Sequence, residues 1–150
     1  MLALKRIVLL LSLVLMTSAL SAQCFSFAKN VGKAKLGAFV HDGNYNATIL
    51  SEGEKAELFK TFFEGQKYRI SISKIEQLPP IHFKLINSDG SVLFDNKDHD
   101  YSLSWDFEVK STQMLIVEMQ VLEREAEDIV SGCVAVLFGV EMEKDKKKRM

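Results

Sequence analysis

The chain has 150 residues, 26% of them charged, and a formal net charge of −1. One domain of ordinary size fits that length, and so balanced a charge excludes the basic footprint that nucleic-acid binding requires. Ten Phe, three Tyr and one Trp can fill a core, and only two Pro and eight Gly exclude a disordered chain.

Lys5 and Arg6 precede an apolar run over 7–16, and small residues follow over 17–22. That run is too short for a bilayer, which needs roughly twenty apolar residues. The order of basic, apolar and small segments is that of a secretory leader. We therefore expect a signal peptide over 1–22, one domain over 23–143 and a charged tail over 144–150. No transmembrane segment is expected in the mature chain. Cleavage after Ala22 removes the whole small-residue stretch; cleavage after Ala19 is the alternative. The product is expected to be exported, to the periplasm or beyond the cell.

Cleavage there places Cys24 almost at the new N-terminus. A lipoprotein needs a small residue directly before its lipidated cysteine; Gln23 stands there and argues against an anchor on Cys24. The only other cysteine is Cys133. In an oxidising compartment a Cys24–Cys133 bridge is the default pairing. Lipidation, free thiols and intermolecular pairing are the alternatives. The bridge would close a loop of about a hundred residues, adding at most about 4–5 kcal/mol in the chain-entropy model.

Phe27, Val31 and Ala34 recur at i, i+4 and i+7 and predict one short helix within 25–40, weakened by Gly32. His41-Asp42-Gly43-Asn44 reads as a turn. The period then changes to two. Strands are expected over 47–50, 55–63 and 67–73, with turns at Glu52-Gly53-Glu54 and Glu64-Gly65-Gln66. In the second of these strands Ala56, Leu58 and Phe62 share a face that Lys60 interrupts, and Phe59 and Phe63 lie on the other. Ile81, Phe83 and Leu85 alternate after the Pro79-Pro80 loop, and Asn87-Ser88-Asp89-Gly90 turns the chain back into 92–94. A polar loop, 95–101, leads to Trp105, Phe107 and Val109 on one strand face. Trp105 is expected to anchor the space between two sheets. The strand over 114–121 is the most apolar, with Leu115, Val117, Met119 and Val121 aligned. Residues 123–128 read as a charged loop or a single helical turn. Residues 133–140 are apolar on both faces, as in a central buried strand. About eight short strands and one helix predict an all-β fold, an antiparallel β-sandwich of jelly-roll-like form with a short N-terminal helix.

Glu64-Gly65-Gln66-Lys67-Tyr68-Arg69, Trp105-Asp106-Phe107, Ser111-Thr112-Gln113 and Gly132-Cys133-Val134 resemble a family of small secreted Gram-negative bacterial proteins of unassigned function. The resemblance runs from Cys24 to Val140 and implies fold and compartment, with no activity. A looser similarity is to β-sandwich domains of the pre-peptidase C-terminal type, which accompany secreted hydrolases.

Candidate sites are few. Asp95, Asn96, Asp98 and Asp100, with backbone carbonyls, offer oxygen ligands for calcium. The run lacks EF-hand spacing and a closing bidentate Glu, and Lys97 sits inside it, so a solvated loop and no metal is the preferred reading. His41, His82 and His99 are scattered, whereas zinc needs three or four converging ligands. Asp106 and Glu108 share a strand face roughly 7 Å apart, within the range glycosidases use, though charged residues also line ordinary exposed faces. Tyr45, Phe59, Phe63 and Tyr101 fall in turns or on secondary strand faces and could form an aromatic ligand surface; a second core face is the alternative. The expectation is an exported, non-catalytic binding or structural module without a cofactor, its partner a protein or glycan of the cell envelope. A calcium-dependent glycan-binding or adhesion-type domain is the alternative, and a small hydrolase built on loop carboxylates a more distant one.

Overall fold

The computed structural model describes residues 1, 4–9 and 22–142. The expected leader lies mostly outside these residues and the charged tail wholly so. Among the described residues nine strands form two antiparallel sheets. They are β1 (Val40–His41), β2 (Asn46–Ser51), β3 (Lys55–Phe62), β4 (Lys67–Lys74) and β5 (Ile81–Asn87), then β6 (Val92–Asp95), β7 (Ser104–Glu108), β8 (Gln113–Val121) and β9 (Ser131–Val140). The first sheet runs β2–β9–β4–β7, with the short β1 continuing the β2 edge against β9; the second runs β3–β8–β5–β6.

The pairing is nested: β2 with β9, β3 with β8, β4 with β7 and β5 with β6. A long antiparallel ribbon folded over on itself produces this order, which is that of a jelly roll. The strands obey their alternation. Tyr68, Ile70 and Ile72 of β4, Val134, Val136 and Phe138 of β9, and Leu115, Val117, Met119 and Val121 of β8 all point into one core. Phe62, Phe83 and Phe138 are its largest fully buried side chains. Each such ring contributes about 1.5–3 kcal/mol by leaving water.

Trp105 differs from its expected place. It lies on the inner face of β7, opposite Ile70, but β7 is an edge strand and the indole is only half-buried. The middle of the sandwich is filled by phenylalanines instead. Residues 123–128 form a loop with no helical turn.

The N-terminal helix differs more. Residues 22–27 are α-helical and continue as a π turn, Ala28–Gly32, and a 3-10 turn, Lys33–Leu36. The buried stripe is Cys24, Ala28, Gly32 and Leu36, not Phe27, Val31 and Ala34; Val31 is 40% exposed. Strict four-residue spacing on an α-helix drifts by about 40° per turn. The wider turn in the middle takes back part of that drift and keeps the stripe against the sheet. Two contacts select this face. Cys24 is bonded to Cys133 of β9, with Cα atoms 5.2 Å apart. Gly32 lies so close to β9 that a Cβ there would come within 2.7 Å of Leu137 Cδ1. The glycine that weakens the helix is thus the point of closest approach. The segment covers the outer sides of β4 and β9, which explains why Ser71, Ser73, Ala135 and Leu137 are buried on the face away from the core.

Candidate functional site

A sandwich of two sheets has two open seams, where edge strands of opposite sheets run side by side. The seam between β6 and β7 is filled with rings. His99 stacks on Phe94 at 4.9 Å, Phe94 on Trp105 at 4.3 Å, and Trp105 on Phe107 at 5.0 Å. Phe107 meets the core through Phe62 at 5.1 Å. Asn96 holds the chain into this seam. Its buried amide donates to the Ile81 and Ser102 carbonyls at 2.9 and 3.1 Å and accepts from the Phe83 amide at 2.8 Å.

The seam between β2 and β3 has no such filling. A shallow cleft of about 310 Å³ runs along it, walled by Tyr45, Asn46 and Thr48 on one side and Ala56 and Leu58 on the other. A smaller hollow of about 140 Å³ continues towards Lys60 and Phe138. Lys60 points inward from the edge strand. Its ammonium bonds Asp42 Oδ2 at 2.5 Å and lies 4.7 Å from the centre of the Phe138 ring. Burial resists ionisation of Asp42. The hydrogen bonds from Lys60 and the Asn44 amide, with the lysine charge, outweigh it and hold the carboxyl below its ordinary range. An inward-pointing charge on an edge strand hinders addition of a foreign strand.

The outer face of the second sheet is the third surface. The register sets Phe59, Ile116, Ile86 and Val92 in one row across β3, β8, β5 and β6. Phe59 is 56% exposed and Val92 53%; Met114, next along β8, is 48% exposed. The adjacent row is charged: Glu57, Glu118, Lys84 and Asp95. Lys84 reaches Glu118 at 3.6 Å and His82 meets Asp95 at 2.7 Å. A short signal for this face was present in the sequence. In Met114 to Val117 the apolar residues stop alternating, so β8 carries an apolar residue outward wherever Met114 and Ile116 fall.

The aromatic residues expected to share a ligand surface stand on separate parts of the molecule. Tyr45 packs on Phe25 at 5.2 Å and His41 at 4.4 Å, beneath the start of the helical segment. Phe59 lies in the apolar row. Phe63 is exposed just past the end of β3. Tyr101 meets His82 at 6.2 Å, towards the other side of the sheet. The four loop residues considered for calcium do not face one another. Asn96 is committed to the backbone, and Asp95 accepts from the Lys97 amide at 2.9 Å and from His82. Burial raises the Asp95 carboxyl, but the bonds from Lys97 and His82 bring it below its ordinary range. Asp98 and Asp100 are exposed. Of the carboxylate pair on β7, Asp106 takes a two-pronged bond from Arg69, at 2.7 and 2.8 Å. The bond from Arg69 keeps the Asp106 carboxyl low despite partial burial. The three histidines engage different partners, Asn44 and Tyr45 for His41, Asp95 for His82 and Phe94 for His99.

No protein-family model matches the sequence, and no curated protein does. In three dimensions the chain is similar to Aeromonas hydrophila PliG, described as a periplasmic lysozyme inhibitor of g-type lysozyme, at 9% identity and a TM-score of 0.50. The match covers 69% of this chain and 88% of that one. At that identity the likeness is one of fold.

Proposed function

We propose that this chain is an exported, non-catalytic module that binds a folded protein, and that a cell-wall lysozyme of the g type is the partner to test first. The observation that carries the reading is the fold likeness to PliG, which spans 88% of that inhibitor. Two features support it. The Cys24–Cys133 bond belongs to an oxidising compartment. The surface offers flat apolar rows and a shallow cleft, the shapes of a protein interface, and Asp42, Asp95 and Asp106 are engaged in ion pairs. No helix among the described residues is long and apolar enough to cross a membrane.

The test uses the oxidised chain from residue 23 onward with purified g-type lysozyme. Calorimetric titration is expected to give a saturable one-to-one complex, and lysis of cell-wall suspensions is expected to slow in proportion to the complex formed. Undiminished lysis at large molar excess, with no heat of binding, removes lysozyme as the partner.

A further inference from the structure

We propose that the outer face of the second sheet is the docking face, and that it takes a protein surface presenting an apolar centre beside a lysine or arginine. The proposal rests on the reading that this chain binds a protein, and names the surface and the chemistry of its partner.

The apolar half comes from the row Phe59, Ile116, Ile86 and Val92, extended by Met114. Antiparallel sheets with one solvated face place polar residues outward. Here four hydrogen-bonded strands in succession place an apolar one there. The surface is flat and rigid, because each of these residues sits on a paired strand, so little ordering is needed on binding.

The charge comes from the next row. Glu57 and Glu118 are direct cross-strand partners, and like charges in that position are destabilising. Lys84, next across the row from Glu118, is engaged with it at 3.6 Å. Lys55, two residues before Glu57 on the same face, lies opposite Gln120. Among the described residues Glu57 makes no ion pair, and it is exposed. The sheet therefore carries an uncompensated negative charge at the border of its apolar row. A cation delivered by a partner relieves it, and the neighbouring apolar contact excludes water from the new pair, which strengthens it. A second copy of this chain would bring the same glutamates and fits less well.

The test compares wild type with Glu57→Gln, Glu57→Lys and Phe59→Ser, and with Lys33→Glu on the helical segment over the other sheet as control. Two readouts are taken: the melting temperature of each free protein, and its affinity for g-type lysozyme at low and moderate salt. Expected are a higher melting temperature for Glu57→Gln and a loss of affinity of tenfold or more for Glu57→Lys and Phe59→Ser. Lys33→Glu should bind as wild type, and the salt dependence should shrink in Glu57→Gln. Equal affinity across all variants overturns the docking face while protein binding stands. A lower melting temperature for Glu57→Gln overturns the inference whatever binds, because Glu57 then serves the fold. If wild type binds no lysozyme, the lysozyme reading falls; an unchanged melting temperature of Glu57→Gln then overturns the inference as well, since no uncompensated charge is left for a basic partner to relieve.

Discussion

The two seams of the sandwich occupy equivalent places in the jelly roll and are handled in opposite ways. At β6 and β7 four rings stack in series, and each covers apolar surface that an edge strand would otherwise leave wet. At β2 and β3 the cleft stays open between Tyr45, Asn46 and Thr48 on one side and Ala56 and Leu58 on the other, and one lysine reaches inward to an aspartate. The first seam is closed by burial, which is strong and permanent. The second is protected by charge, which contributes little stability but discourages a foreign strand.

The largest test of that contrast concerns the covalent support of the open seam. The disulfide ends on Cys133, whose neighbour across the ladder is Ile49 of β2. Replacing both cysteines by serine is expected to cost about 2–4 kcal/mol in urea denaturation. Faster amide exchange should appear first in the helical segment and β2. Uniform loss across both seams would show that the bond supports the sandwich as a whole.

Next comes the closed seam. Trp105→Ala removes the middle of the stack and is expected to cost about 3 kcal/mol. Leu58→Ala at the open seam, a smaller side chain on the wall of the cleft, is expected to cost about half as much. Equal penalties in denaturant titrations would erase the distinction between the seams.

The smallest effect belongs to the ion pair. Asp42→Ala leaves the Lys60 ammonium, whose side chain is 19% exposed, without its partner, at a cost of about 1–2 kcal/mol. Adding Lys60→Met should restore most of it, since a buried pair is readily replaced by apolar groups. Acid provides a second view. The Asp42 carboxyl titrates below its ordinary value of 3.8 in the folded protein. Its stabilisation is complete above that value and is lost as the pH falls through it and lower. The melting temperature should stay level from neutral pH to about pH 5 and then fall, less steeply in Asp42→Asn. An identical acid profile in the variant would show that Asp106, Asp95, Asp89 and Glu52, which are also held low, account for the fall.

Much of the fold was legible in the sequence because strands report their two faces locally. Tyr68 to Ile72, Ile81 to Leu85 and Val117 to Val121 alternate cleanly, and each turn carries residues suited to it. Gly90, with φ of 86°, ends the Asn87-Ser88-Asp89-Gly90 hairpin in a conformation that favours glycine. Residues 133–140 were apolar on both faces, and β9 is buried on both. The helix face was not legible. Phe27, Val31 and Ala34 obey the ordinary period, but a bond to Cys133 and the close approach at Gly32 lie a hundred or so residues away in sequence and select another stripe.

The site was harder to read. Phe59 was singled out, but its neighbours Ile116 and Ile86 came from strands whose register no local pattern reveals. Tyr45, Phe63 and Tyr101 looked equivalent to Phe59 and have quite different surroundings. Lys60 was visible only as an interruption.

Local pattern specifies what each residue can satisfy from its immediate neighbours: strand, turn and the inward face, with two cysteines suited to an oxidising compartment. Which strand edges meet, which seam is closed by rings, which helix face is buried, and that Glu57 stands opposite Glu118 are settled in the folded chain. Those outcomes depend on pairings between residues far apart in the chain, where the energy of a contact exists only once the loop between its partners has been closed.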